Sequence, residues 1–135
     1  MATKAHQFIA DLLAQRMRLD GYEVVSFEGY SETESGLKNL PPTIIRHRPD
    51  LIGLKKGCLV IGEAKTSGDI GGRTHEQIED YIFCSKNTTN TKLTIYVGVP
   101  LSAEEKVKGI VREAEGNNCV TVLGVPDRLL PEDYD

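Results

Sequence analysis

The residues best equipped for chemistry lie in one segment, RHRPDLIGLKKGCLVIGEAKT, residues 46–66. Two apolar stretches flank a Lys-Lys-Gly turn and read as paired strands. Asp50 interrupts the first stretch, and Glu63 and Lys65 interrupt the second. Side chains alternate along a strand, so Glu63 and Lys65 share a face. A turn centred on Lys55-Lys56 sets Asp50 opposite Ile61 and Glu63 opposite Arg48. Asp50 and Glu63 then become diagonal neighbours on one face, with Lys65 one step beyond. Two converging carboxylates make a hard-oxygen site suited to Mg²⁺ or Mn²⁺. Such a metal activates water and polarises a phosphodiester, and a nearby lysine stabilises the charge that develops on the phosphate. The three side chains are thus a set fitted to phosphodiester hydrolysis. The plainer reading is a cross-strand ion-pair cluster on a solvated face, with a Glu63–Arg48 pair contributing at most about 1 kcal/mol.

Other elements must hold that hairpin. Residues 3–19 read as a helix with Ala5, Phe8, Ile9, Leu12, Leu13 and Met17 on one stripe, Thr3 as cap and Gly21 as stop. Residues 22–29 read as a strand, and the aperiodic, Pro-Pro-containing residues 30–43 as a loop. The hairpin strands fall near 44–53 and 58–66. The loop SGDIGG follows without a phosphate-cradling glycine pattern. A helix is expected near 74–86, where Thr74 and Gln77 have capping-box spacing. KLTIYVGVP, 92–100, reads as a strand buried on both faces. Ser102 and Glu105 suggest a capping box for a helix over 103–115, ended by Gly116, and 119–125 reads as a last strand. Three successive strands suggest an antiparallel meander, and the later strand–helix–strand a parallel crossover. The expectation is an α/β fold of order αβββαβαβ, a mixed sheet flanked by helices.

The chain has 135 residues, which favours one domain spanning 1–135, with a core at about 3–124 and a peripheral acidic tail at 127–135. Cys58, Cys84 and Cys119 are widely separated and form no C-x-x-C pair, so they read as reduced, packed thiols. The N-terminal residues lack signal-peptide order, and no apolar run reaches membrane-span length. A soluble, intracellular (cytoplasmic) protein is expected, with no membrane partner and no small-molecule cofactor. The net charge of −4 alone disfavours nucleic acid, but its distribution is uneven. Residues 38–75 hold Lys38, Arg46, Arg48, Lys55, Lys56, Lys65 and Arg73 against three acids. The rest of the chain is strongly acidic. Such asymmetry can steer an anionic substrate to one face.

Pro49-Asp50, twelve residues, then Glu63-Ala64-Lys65 resembles the signature of the PD-(D/E)xK nuclease superfamily, whose fold is called restriction-endonuclease-like. The element order read above is similar to that family's core over most of the chain. The resemblance implies a metal-dependent deoxyribonuclease using Mg²⁺ or Mn²⁺. Asp50, Glu63 and the backbone carbonyl of Ala64 would ligate the metal, and Lys65 would act on the water and phosphate. Gln77 and Tyr81 resemble the Q-x-x-x-Y element of RecB-type members, which implies that Gln77 joins Asp50, Glu63 and Lys65 as a catalytic residue. His6, in the first helix, stands where RecB-type members carry a metal-ligating histidine. Arg48, Arg73, Tyr81, Lys55 and Lys56 are candidate nucleic-acid contacts. His47 points away from Asp50's face by strand parity and reads as structural.

The expected activity is that of a DNA endonuclease or junction resolvase acting as a homodimer. The alternatives are an exonuclease or repair nuclease, a nuclease subunit of a larger transposition or restriction machine, and a non-catalytic nucleic-acid-binding module of the same fold. Nothing in the sequence selects DNA over RNA.

Overall fold

The computed structural model describes residues 3–26 and 47–132. The loop expected at 30–43 and the expected strand ends at 27–29 and 44–46 lie outside the described residues.

Helix α1, Lys4–Leu19, begins where Thr3 Oγ1 accepts the His6 amide hydrogen at 3.1 Å. Ala5, Ile9, Ala10, Leu13, Ala14 and Met17 form its buried stripe. The strands are β1, Glu23–Ser26; β2, Leu51–Lys55; β3, Cys58–Ala64; β4, Lys92–Pro100; and β5, Val120–Val125. They form one sheet in the order β1-β2-β3-β4-β5. The first two pairings are antiparallel and the last two parallel. Helix α2, Gly72–Asn87, connects β3 to β4, and helix α3, Glu104–Glu113, connects β4 to β5. Among the described residues the chain is therefore α/β, a five-stranded mixed sheet flanked by helices.

Each face of the sheet has its own core. Leu59, Ile61, Ile95, Val97 and Val99 pack with Ile78, Tyr81 and Ile82 of α2 and Val107 and Val111 of α3. On the opposite face, Val60, Ala64 and Tyr96 pack with Ile9, Leu13 and Met17 of α1. Strand alternation divides β3 between these layers. Glu63, in step with Leu59 and Ile61, consequently emerges beneath α2. Helix α1 lies very close to β4: a Cβ added at Gly98 would stand 2.7 Å from Ile9 Cγ2.

The hairpin register differs from the sequence expectation. Leu51 faces Gly62, Ile52 faces Ile61, and Lys55 faces Cys58. The turn is Lys56-Gly57, not one centred on Lys55-Lys56, because Gly57 supplies the left-handed backbone the tight turn requires (φ +75°). Asp50 also lies one residue before β2, and Lys65 one residue after β3. Continuing the register sets Asp50 against Glu63, not against Ile61. The expected Ser102–Glu105 capping box is absent too. The α-helix starts at Glu104 after a 3₁₀ turn over Leu101–Ala103. The Ser102 hydroxyl instead donates to Asp127 Oδ2 at 2.5 Å, because that carboxylate also accepts the Ser102 N–H. Residue 127 of the tail is thus tied to the domain.

Candidate active site

Strand β2 begins where β3 ends, so the sheet opens at Asp50, Glu63 and Ala64. A cavity of about 520 Å³ occupies this opening, between the N-terminal turns of α1 and α2. Asp50, Glu63, Ala64 and Lys65 line it, with Thr3 and His6 from α1. Arg73, Thr74 and Gln77 of α2 line the other side, and His47, Arg48 and Asp69 complete the wall.

Asp50 is held from two directions. Its Oδ2 accepts the Ala64 amide hydrogen at 2.8 Å and lies 3.3 Å from His6 Nε2. The Ala64 bond follows from the ladder. Lys65 N–H donates to Gly98 O of β4 at 2.9 Å, so the polar groups of Ala64 turn to the other side, where β2 has stopped. The amide goes to Asp50, and the carbonyl is directed the same way. The His6 pKa is raised, first by this hydrogen bond to Asp50, against the opposing effect of burial.

Glu63 is buried, at 5% exposure, on the α2 side. Its Oε1 accepts from Tyr81 Oη at 2.8 Å and from Gln77 Nε2 at 3.2 Å, while Lys65 Nζ lies 3.9 Å from Oε2. Gln77 and Tyr81, four apart on α2, reach it from one helix face. Burial pushes the Glu63 carboxyl up to about 8, and the Asp50 charge adds to the effect against Lys65 and Tyr81. The Tyr81 hydroxyl is raised by its own burial and by Glu63.

No family model, curated protein or solved structure matches the chain. The geometry is therefore the basis for any functional reading.

The structure brings Asp50, Glu63, Ala64, Lys65, Gln77, Arg48, Arg73 and His6 to one cavity. Several expectations need correction. Glu63 forms no surface pair with Arg48, because it is buried under α2 and Arg48 sits at an exposed left-handed position (φ +52°). Gln77 does not cap its helix. That helix starts at Gly72, Thr74 Oγ1 bonds within the preceding turn, and the Gln77 amide turns to Glu63. Tyr81 is fully buried, so it cannot stack on a base; it supports Glu63. Lys55 and Lys56 occupy the far end of the hairpin, about 15 Å of strand away from Asp50. Lys55 is also occupied, its Nζ donating to Asp20 O at 3.0 Å and lying over the Tyr22 ring.

The fit of the donor set to a divalent metal is mixed but coherent. No group of three His, Cys, Asp or Glu side chains among the described residues is arranged to hold a metal ion. His6 is instead the partner of Asp50. What remains is two carboxylates and a carbonyl, hard oxygens of the kind Mg²⁺ and Mn²⁺ take, with water completing their shell. Burial is the main cause of the raised Glu63 pKa, and the Asp50 charge adds to it against Lys65, so a cation placed between the two carboxylates would favour the ionised form of Glu63.

Sequence reasoning did not find His47 and Asp80 as partners. His47 Nε2 lies 2.6 Å from Asp80 Oδ2, and its ring meets Tyr81 edge-on. Their separation of 33 positions carries no spacing signal that a local pattern could detect. Asp69 lies in the SGDIGG loop. It caps that turn, accepting from Thr66 N–H and Oγ1.

Proposed function

We propose that this chain is a metal-dependent nuclease that hydrolyses DNA phosphodiester bonds, as an endonuclease or junction resolvase. The observation that carries the reading is Asp50 and Glu63 on one polar cavity with Lys65 3.9 Å from Glu63. The resemblance to the PD-(D/E)xK superfamily and its restriction-endonuclease-like fold is supported by the strand order β1-β2-β3-β4-β5 and by these three side chains falling at the ends of β2 and β3.

Asp50, Glu63 and the Ala64 carbonyl would hold Mg²⁺ or Mn²⁺. The bound cation would supply Lewis-acid activation of water and charge stabilisation on phosphate. Lys65 would orient the attacking water and bind a non-bridging phosphate oxygen. Gln77 and Tyr81 hold Glu63 in place. Arg48 and Arg73, exposed on the cavity wall, would bind the neighbouring backbone phosphates. The N-termini of α1 and α2 add partial positive charge on the same side. Homodimerisation would give two such sites for two strands.

The test incubates the protein with supercoiled, linear and branched DNA, with Mg²⁺, Mn²⁺ or EDTA, beside Asp50→Ala and Lys65→Ala. Metal-dependent cleavage lost in both variants is the expected result. Folded protein that cuts nothing with either metal sinks the autonomous-nuclease reading and leaves a partner-dependent subunit or a binding module.

A further inference from the structure

We infer that His47 is a positioning residue that sets both carboxylates of the site at once. The inference rests on the nuclease reading only for its metal-binding consequence.

His47 stands three residues before Asp50 and is anchored to α2 by its 2.6 Å contact with Asp80. Its side chain is 11% exposed and that of Asp80 29%, so the pair is part-buried and screened less than a fully exposed one. From one ring, two short paths lead into the cavity. The first runs along the backbone through Arg48 and Pro49 to Asp50. Arg48 holds a left-handed conformation that a residue with a Cβ adopts only when its neighbours are pinned. His47 is pinned on one side and Pro49 is buried on the other. The path ends where Asp50 accepts the Ala64 amide. The second runs through Tyr81, whose ring meets His47 edge-on at 5.6 Å between centroids and 78° between planes. The Tyr81 hydroxyl then donates to Glu63.

Asp50 and Glu63 are thus referred to the same point on α2. Without His47, the segment leading to Asp50 loses its contact with Asp80 of that helix, and Tyr81 loses one of the neighbours packed against its ring. The fold retains both cores, since His47 belongs to neither.

The experiment compares wild type, His47→Ala, His47→Gln and Asp80→Asn by two readouts. The first needs no metal: the Ala64 amide resonance, displaced downfield by its charge-assisted bond to Asp50. In His47→Ala and Asp80→Asn it moves toward its position in Asp50→Ala, and in His47→Gln, whose amide can still donate to Asp80, it stays near the wild-type position. The second is Mn²⁺ binding by calorimetry. Here His47→Ala weakens binding about 10- to 100-fold, the usual effect of removing a group that orients a ligand, and His47→Gln restores most of it. Asp80→Asn and His47→Gln keep the test open should His47→Ala fail to fold. An Ala64 resonance unmoved in all three variants overturns the inference whatever Mn²⁺ does. Wild type that binds no Mn²⁺ while the resonance still moves defeats the metal-nuclease reading and leaves the positioning role supported.

Discussion

Glu63 concentrates the tension of the site. A buried carboxylate beside Asp50 favours its neutral form, and its pKa rises from 4.5 to about 8. Between those values the folded chain binds more protons than the unfolded chain, so stability falls as pH rises. In metal-free protein, melting curves between about pH 5 and pH 9 should fall more steeply for wild type than for Glu63→Gln. The variant should be the more stable at pH 8, and equal slopes would show that burial leaves Glu63 unperturbed. Adding Mn²⁺ at pH 8 should raise the wild-type midpoint and not that of Glu63→Gln. Under the proposed function Lys65 would stabilise charge that develops on phosphate, so Lys65→Ala should lower kcat by about 10²- to 10³-fold. Its melting temperature should change little, because one part-exposed ammonium contributes little to stability.

The site depends on how α1 and α2 approach the sheet. Helix α1 brings His6 to Asp50 only because Gly98 lets Ile9 and Leu13 sit against β4. Gly98→Val should destabilise by about 1–3 kcal/mol, since its added carbons meet well-packed side chains. It should also weaken the His6–Asp50 contact, readable as a fall in the His6 pKa toward 6.5 by NMR titration. Helix α2 does the complementary work on Glu63 through Gln77 and Tyr81. Both helices were legible in the sequence, α1 from its apolar stripe and α2 from Ile78, Tyr81 and Ile82 falling on one side. Their depth over the sheet was not, because a glycine in a strand reads equally well as a bulge or as a point of close approach.

Across the molecule, charge is divided between a chain that is net acidic and a cavity wall that carries Arg48 and Arg73. Under the proposed function DNA affinity should fall with salt, and Arg73→Ala should reduce the slope of log K against log salt by about 1 for a single phosphate contact. An unchanged slope would remove Arg73 from the interface. Acid stability belongs to the opposite end of the fold. Asp20, at the end of α1, accepts from Tyr96 Oη at 2.5 Å and pairs with Arg16. These contacts, Tyr96 first, hold its carboxyl below 3.8. A depressed carboxyl contributes stability that is present above its ordinary pKa and lost as pH falls through the folded value. Asp20→Asn should therefore flatten the stability profile below about pH 3.8 and lower the midpoint above it.

The sequence alone determined the order of the elements, the face shared by Glu63 and Lys65, and the grouping of Asp50 with them. Alternation and helical period are local properties that survive an error of two residues in the register. That shift from the expected turn moved the facing partner of Asp50 without moving its face. Only the tertiary structure decided that Glu63 is buried and that Gln77 bonds to it instead of capping. It also decided that Tyr81 cannot touch a base and that Lys55 and Lys56 lie far from the cavity. Burial and partnership come from elements distant in sequence meeting at one end of a sheet. His47 and Asp80, 33 residues apart and 2.6 Å from each other, are the plainest instance.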